Sequence, residues 1–453
     1  MSCFSMRRER LFSHLATDIV PVLFNGGERL RNPSNTFPFR GESHVLYLAG
    51  QLPPCAVLVL EAAQAHIFVE KISVDDAVWS GPGEAWDSIA ARCEASVHGL
   101  DELAGFLKNL GVERCASLPI QDPKAGQYQR EVLGRVPDIK ASQSDLALAK
   151  ALVQVRLIHD EVAQEQLRLA GRISVDAHRA GIKATRVGGD ECEVLAAMLQ
   201  VMYSRHCVPS FAPIVTVHAE RLHQPNVGGA LVDGDMLEAD VGAEVASGFC
   251  GDITNTWPVN GKYSPEQKAV YDAVLRAHRH CASMLRPGVR YLEVHQAADR
   301  ILAEGLKDMG IWRGSVEQAL ESNAQALFFV HGIGHLLGID VHDMEDLGDL
   351  AGYQEGRIRP QRFGGNCLRL DRDLQAGMAL TVEPGLYFIP ELLDDGEVHK
   401  RYGNLIDWEA VERYRGVRGV RIERNYLITP EGSELLTPGL PDETWEMEEF
   451  MRS

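Results

Sequence analysis

Four short segments of this 453-residue chain carry carboxylates where a core strand would carry apolar side chains. In Met236-Leu237-Glu238-Ala239-Asp240-Val241-Gly242, strand alternation puts Leu237, Ala239 and Val241 on one face and turns Asp240 to the other. Gly251-Asp252-Ile253-Thr254-Asn255-Thr256-Trp257 groups Asp252 with two threonines, opposite Ile253 and Trp257. Thr381-Val382-Glu383-Pro384-Gly385 ends an apolar strand on a glutamate, and Val420-Arg421-Ile422-Glu423 projects Arg421 and Glu423 together. Between them lie His331-Gly332-Ile333-Gly334-His335 and Val341-His342-Asp343, where the two glycines argue against a helix-face histidine pair. Taken singly, each segment has an ordinary reading, since strand-end acids are solvated and lone histidines cap or pack. Together they do not. Four carboxylates converging in one interior with a histidine repel unless cations compensate them. Two divalent ions balance four negative charges, and such a pair suits hydrolysis by activating water and polarising a carbonyl. Oxygen-dominated ligation favours Mn(II), Co(II) or Mg(II) over a thiolate zinc site.

The elements that must position these groups form two domains, the default for a chain too long for one core. The first domain, residues 1–150, reads as a small α/β unit. Val45–Leu48, Ala56–Leu60 and Ala65–Val69 are expected as buried strands, and helices are expected around Glu84–His98 and Asp101–Leu110, the second stopped by Gly111. From Pro119 to Asp138 the chain reads as loop, and one long helical pattern runs from Ser144 past Leu169. The second domain, 151–453, alternates long helices with strand pairs. Ser264-Pro265-Glu266-Gln267 is a helix start with a capping serine, proline at the first helical position and a glutamine reaching back. Pro287-Gly288 ends that helix, and another is expected from Leu292 to Met309.

Composition narrows the function further. A net charge of −19 disfavours nucleic acid and anionic membrane surfaces as partners. No run approaches the roughly 20 apolar residues that span a bilayer, and Met1–Arg10 lacks the apolar stretch of a secretory signal. The cytoplasm is the expected location. The nine cysteines stand singly, without thiolate-zinc spacing, and are read as reduced and structural.

In their order and context, Asp240, Asp252, the His331–His335 run with His342, Glu383 and Arg421-Ile422-Glu423 resemble the pita-bread metallopeptidases, which include prolidase, aminopeptidase P and methionine aminopeptidase. Phe37-Pro38-Phe39-Arg40 and Tyr47-Leu48-Ala49-Gly50 are similar to the amino-terminal domain that prolidase and aminopeptidase P share. The resemblance implies an α/β (α+β) chain with a pita-bread catalytic domain holding two divalent ions, Mn(II) first, with Co(II), Zn(II) or Mg(II) as alternatives. It implies Asp240, Asp252, His335, Glu383 and Glu423 as ligands, with Asp252 and Glu423 bridging and Glu383 also shuttling the proton. His331 and His342 would steady substrate and intermediate, and Arg421 would orient the group.

The run Leu368–Met378 and the sequence after Tyr387 resemble prolidase more than aminopeptidase P. Arg369 matches the prolidase residue that holds the free carboxylate of a terminal proline, with His223 as its partner. A bidentate guanidinium measures a C-terminal carboxylate well, and a longer peptide would leave it unpaired. The expected substrate is therefore a dipeptide ending in proline. Trp79 resembles a tryptophan that relatives insert into a neighbouring subunit, which implies a homodimer; the alternative is a tryptophan packed inside its own domain. Three positions depart from the pattern. Asp240 and Asp252 stand one residue further apart than usual, Phe211 falls where a tyrosine is usual, and Asn255 replaces a common arginine. The competing readings are aminopeptidase P, methionine aminopeptidase (which has no use for the first domain) and a metal-free binding module that has lost its ligands.

Overall fold

The computed structural model describes residues 2–62, 64–223 and 227–453. The chain divides into two compact units, the first ending at Leu157 and the second starting at Ile158.

The first unit is built on a five-stranded sheet in the order Ser96–Gly99, Gln64–Val69, Val57–Glu61, Val20–Phe24, Cys115–Ala116. Val22, Phe24, Val57, Val59 and Phe68 meet Leu103 and Leu107 of helix Leu103–Leu110 in its core. Four expectations change here, the first being that the helix expected around Glu84–His98 spans Trp86–Cys93 and gives way to strand Ser96–Gly99. Val45–Leu48, read as a strand, lies within helix Ser43–Ala49, which is buried on all sides. The Glu42 side chain accepts from the Val45 amide at its start and Gly50, at φ 75°, ends it. A short segment that is apolar all round has no face to reveal its period. Pro123–Leu133, read as loop, is a helix: the Asp122 carboxylate accepts from the Lys124 and Ala125 amides, Pro123 takes the first position, and left-handed Gly134 closes it. The long helix from Ser144 is two helices, Gln143–Leu157 and Glu161–Ala184. Asp160 separates them by capping the second through the Ala163 amide at 2.8 Å.

The second unit is organised by strand pairs. Met236–Asp240 lies between Ile214–Thr216 and Thr254–Pro258, antiparallel to both. Ala379–Val382 pairs with Arg424–Ile428, and Gly385–Tyr387 pairs with Gly419–Arg421. Long helices cover these strands. Trp257, fully buried, donates its indole N–H to Thr185 Oγ1 at the end of Glu161–Ala184 (3.0 Å). Tyr426 faces His278 of helix Pro265–Met284. That helix starts with the expected capping box, Ser264 and Gln267 each accepting from the other's amide. No helix among the described residues is long and apolar enough to cross a membrane.

Candidate metal centre

Strand register brings the acidic side chains together. Asp240 stands opposite Thr254, so both point to one face, and Asp252 two residues earlier joins them. Glu423 is tied to the same strand twice: its amide donates to the Thr254 carbonyl (2.9 Å), and Thr254 Oγ1 donates to Glu423 Oε2 (2.8 Å). Asn425 fixes Asp252 through its backbone, its side-chain oxygen accepting from the Asp252 amide at 2.9 Å. The histidine run is held as an extended strip along the next strand. The Thr381 amide donates to the His335 carbonyl and the Glu383 amide to the Ile333 carbonyl. The glycine of this strip at 334 is required, because a Cβ there would collide with the Thr381 carbonyl and the Tyr291 hydroxyl.

One ligand atom each of Asp252, His335 and Glu423, all buried, lies within 4.8 Å of the other two. His335 Nε2 is 3.3 Å from Asp252 Oδ2, 3.6 Å from Glu383 Oε1 and 3.9 Å from Glu423 Oε1. Its Nδ1 is 3.0 Å from the Leu336 carbonyl, which can only accept, so Nδ1 carries the proton. Burial lowers the imidazole pKa. A neutral ring then turns its Nε2 lone pair toward three carboxylate oxygens. That arrangement is repulsive by itself and correct around a cation, with the second ring nitrogen steadied by a carbonyl. Asp240 Oδ1, Asp252 Oδ1 and Glu423 Oε1 are buried without a hydrogen-bond partner. Burial, reinforced by the neighbouring carboxylates, pushes Asp252 and Glu423 well above the usual carboxylate range. Glu383 is also raised, by burial first, with His335 and Arg421 opposing. The donor set fits divalent cations.

A cationic and aromatic network backs these acids. Arg421 donates to Asp240 Oδ2 (2.7 Å), Thr254 Oγ1 (3.0 Å) and the Tyr387 hydroxyl (2.9 Å), with Glu238 Oε1 at 3.3 Å. Tyr387 lies 2.9 Å from His331 Nε2, whose Nδ1 is 2.8 Å from the Gly332 carbonyl. Both His331 nitrogens are thereby engaged. Burial, with Arg421 second, lowers His331 to about 3. His342 packs edge-on against His335 at 4.3 Å and pairs through Nδ1 with Glu345 (2.8 Å). Burial and His335 lower it to about 4, leaving Nε2 as an acceptor at neutral pH.

Asp240, Asp252, His331, His335, His342 and Glu383 line one cavity of about 570 Å³, together with Arg421 and Glu423. Arg369, His223 and Phe211 line it as well. Arg369 pairs with Glu345, the same acid that holds His342. Trp79 is not in this group. It is 88% exposed on helix Val74–Ser80, none of whose residues is buried, so it is not packed inside its own unit. The Asp240–Asp252 connection is a hairpin that turns at Val245–Phe249, where the Val245 amide donates to the Phe249 carbonyl at 3.0 Å and Gly248 has φ 90°. Asn255 accepts from Arg424 Nη2 of the neighbouring strand at 3.1 Å, so a guanidinium reaches this position from elsewhere. Tyr387, Glu238, Thr254 and Asn425 are site residues that the sequence reading does not name as such. Glu238 and Thr254 had a signal, since alternation places them on the faces of Asp240 and Asp252; Tyr387 and Asn425 had none.

Residues 165–430 match the family model described as metallopeptidase family M24, and residues 4–116 match that of the aminopeptidase P N-terminal domain. The chain belongs to metallopeptidase family M24. It is 33% identical to a Xaa-Pro dipeptidase of Homo sapiens over 96% of this chain and 91% of that protein. It is also 30% identical to a Xaa-Pro aminopeptidase of Haemophilus influenzae, over 99% and 96%. The solved aminopeptidase P of E. coli with the inhibitor Pro-Leu superimposes with a TM-score of 0.83 at 28% identity, covering 100% of this chain and 98% of that one. The pita-bread fold is therefore that of the M24 unit, with the aminopeptidase P type of domain in front, and an M24 metallopeptidase requires a divalent metal.

Proposed function

We propose that this M24 enzyme is a Xaa-Pro dipeptidase, hydrolysing dipeptides that end in proline. The observation that carries this reading is that Arg369 and His223 share one cavity wall with the carboxylate–histidine cluster. A guanidinium lining the same cavity as the reacting centre would limit the peptide to one residue beyond the scissile bond, because a longer chain leaves the charge unmatched. The 33% identity to a Xaa-Pro dipeptidase supports it.

Asp240, Asp252, His335, Glu383 and Glu423 would hold two divalent ions, Mn(II) first, which when bound activate water and polarise the scissile carbonyl. Glu383, the most exposed of the paired acids around His335, moves the proton from water toward the leaving proline nitrogen. His342, fixed by Glu345, and His331, fixed by Tyr387, keep the cavity wall neutral beside the substrate. Arg421 holds Asp240 in one rotamer while balancing Glu238. Trp79 would complete the pocket of a second copy in a homodimer, and the enzyme would work in the cytoplasm.

The second reading, release of the residue before proline from longer peptides, is favoured by the likeness to aminopeptidase P. One assay separates them. The dipeptide Ala-Pro should be cleaved with kcat/KM at least about 100-fold above that for Ala-Pro-Ala. The reverse order would make the enzyme an aminopeptidase.

A further inference from the structure

A second cavity, of about 340 Å³, opens in the catalytic unit among residues that take no part in the metal centre. Its buried lining is apolar: Ile173 and the half-buried Leu169 come from helix Glu161–Ala184, and Val245, followed by the exposed Ala246, from the turn of the Asp240–Asp252 hairpin. Its rim is basic. Arg172 and Arg205 both line it, with His206 beside them, in a chain whose net charge is −19. Asp176 is the acid of the lining and is already committed, pairing with Arg205 Nη1 at 2.6 Å. Along the same helix, Arg168 binds Glu434 and Arg179 binds the Gly439 carbonyl. The Arg172 side chain has no hydrogen bond or ion pair among the described residues.

We infer that this cavity is a binding site for small organic anions, a carboxylate on an apolar body, with Arg172 taking the carboxylate and the apolar lining taking the body. The chemistry follows from the lining. An unpaired guanidinium beside an apolar lining matches a ligand with one charged end, and the fork geometry selects a planar carboxylate over a diffuse anion. The cavity has the size for a ligand of this kind. Its occupant would touch Val245 and Ala246, so it would rest against the segment that links Asp240 to Asp252.

Phenylacetate and its neutral isostere phenylacetamide are suitable probes. Calorimetric or NMR titration of the metal-loaded, full-length protein should show saturable phenylacetate binding below about 10 mM. Phenylacetamide should bind at least about tenfold more weakly, since it lacks the charge-assisted bond. Arg172→Gln should weaken phenylacetate about tenfold, and Arg172→Glu should abolish binding; Arg172 is exposed and outside the metal centre, so both variants should fold. Absence of saturable binding would overturn the assignment. So would equal affinity for acid and amide, or an affinity unchanged in both variants, which would put the anion at the metal centre instead.

Discussion

Arg421 Nη2 lies 2.7 Å from Asp240 Oδ2, and the same guanidinium reaches Tyr387, Thr254 and Glu238. One side chain thus spans a cluster acid, a second buried acid and the hydroxyl that holds His331. Burial raises Glu238 to about 7, with Arg421 as the main opposing influence. Removing the guanidinium strands two buried carboxylates at once, which is costly. Arg421→Met should cut kcat by more than about 100-fold, the order of about 3 kcal/mol expected when a buried charge loses its partner. Metal analysis of the same variant separates lost orientation from lost metal, and wild-type kcat would refute the role.

Metal dependence is the broadest test of the cluster. Chelation should abolish hydrolysis, and Mn(II) or Co(II) should restore it. Glu423→Ala should lose metal along with activity, because it removes a buried acid next to His335 and Asp252. Elemental analysis should count two divalent ions per wild-type chain; full activity without metal would remove the basis for all five ligands.

Arg369 is 37% exposed at its side chain and already paired with Glu345, so its loss should cost less than that of a fully buried charge. Arg369→Ala should lower kcat/KM for Ala-Pro by about 10-fold to 100-fold. The fall should be much smaller for Ala-Pro-amide, which lacks the carboxylate. Equal losses on both substrates would make Arg369 structural.

Phe211 lines the metal-centre cavity. Phe211→Tyr would return a hydroxyl to that wall, and one hydrogen bond changes kcat by at most about tenfold. Metal content should stay constant; its loss would mean that the ring packs against the ligands rather than facing substrate.

Stability of the first unit should carry one clear pH signature. Asp145 is fully buried, which alone would raise its pKa, but Arg135 at 2.6 and 2.7 Å and the Ser117 and Asp138 amides reverse the direction and lower it. A depressed folded-state pKa contributes stability above the unfolded carboxyl value near 3.8, and that contribution is lost as pH falls through the folded value. Asp145→Asn should therefore lower the thermal midpoint at pH 7, by the equivalent of about 2 kcal/mol because Arg135 is one-third exposed. The gap between the two proteins should start to narrow below about pH 3.8 and close as the pH falls through the lower folded value. A gap that stays constant with pH would assign the loss to packing.

The sequence by itself determined the acids, the histidine run and the strand faces that carry them, because alternation in a strand is a local rule. Asp240, Asp252 and Glu423 could be placed on polar faces without knowing what those faces meet. The box at Ser264–Gln267 was equally legible, since both halves of the cap lie within four residues. What the tertiary structure decided was everything that depends on neighbours distant in the chain. Val45–Leu48 belongs to a helix, Ser43–Ala49, that is enclosed on all sides, and a short apolar run of this kind hides its period. The link between Arg421, Tyr387 and His331 joins residues from three segments, and no spacing in the sequence encodes it. The lone pair of His335 facing three carboxylate oxygens is likewise a product of packing, because only strands brought into register can set like charges that close and so require a cation between them.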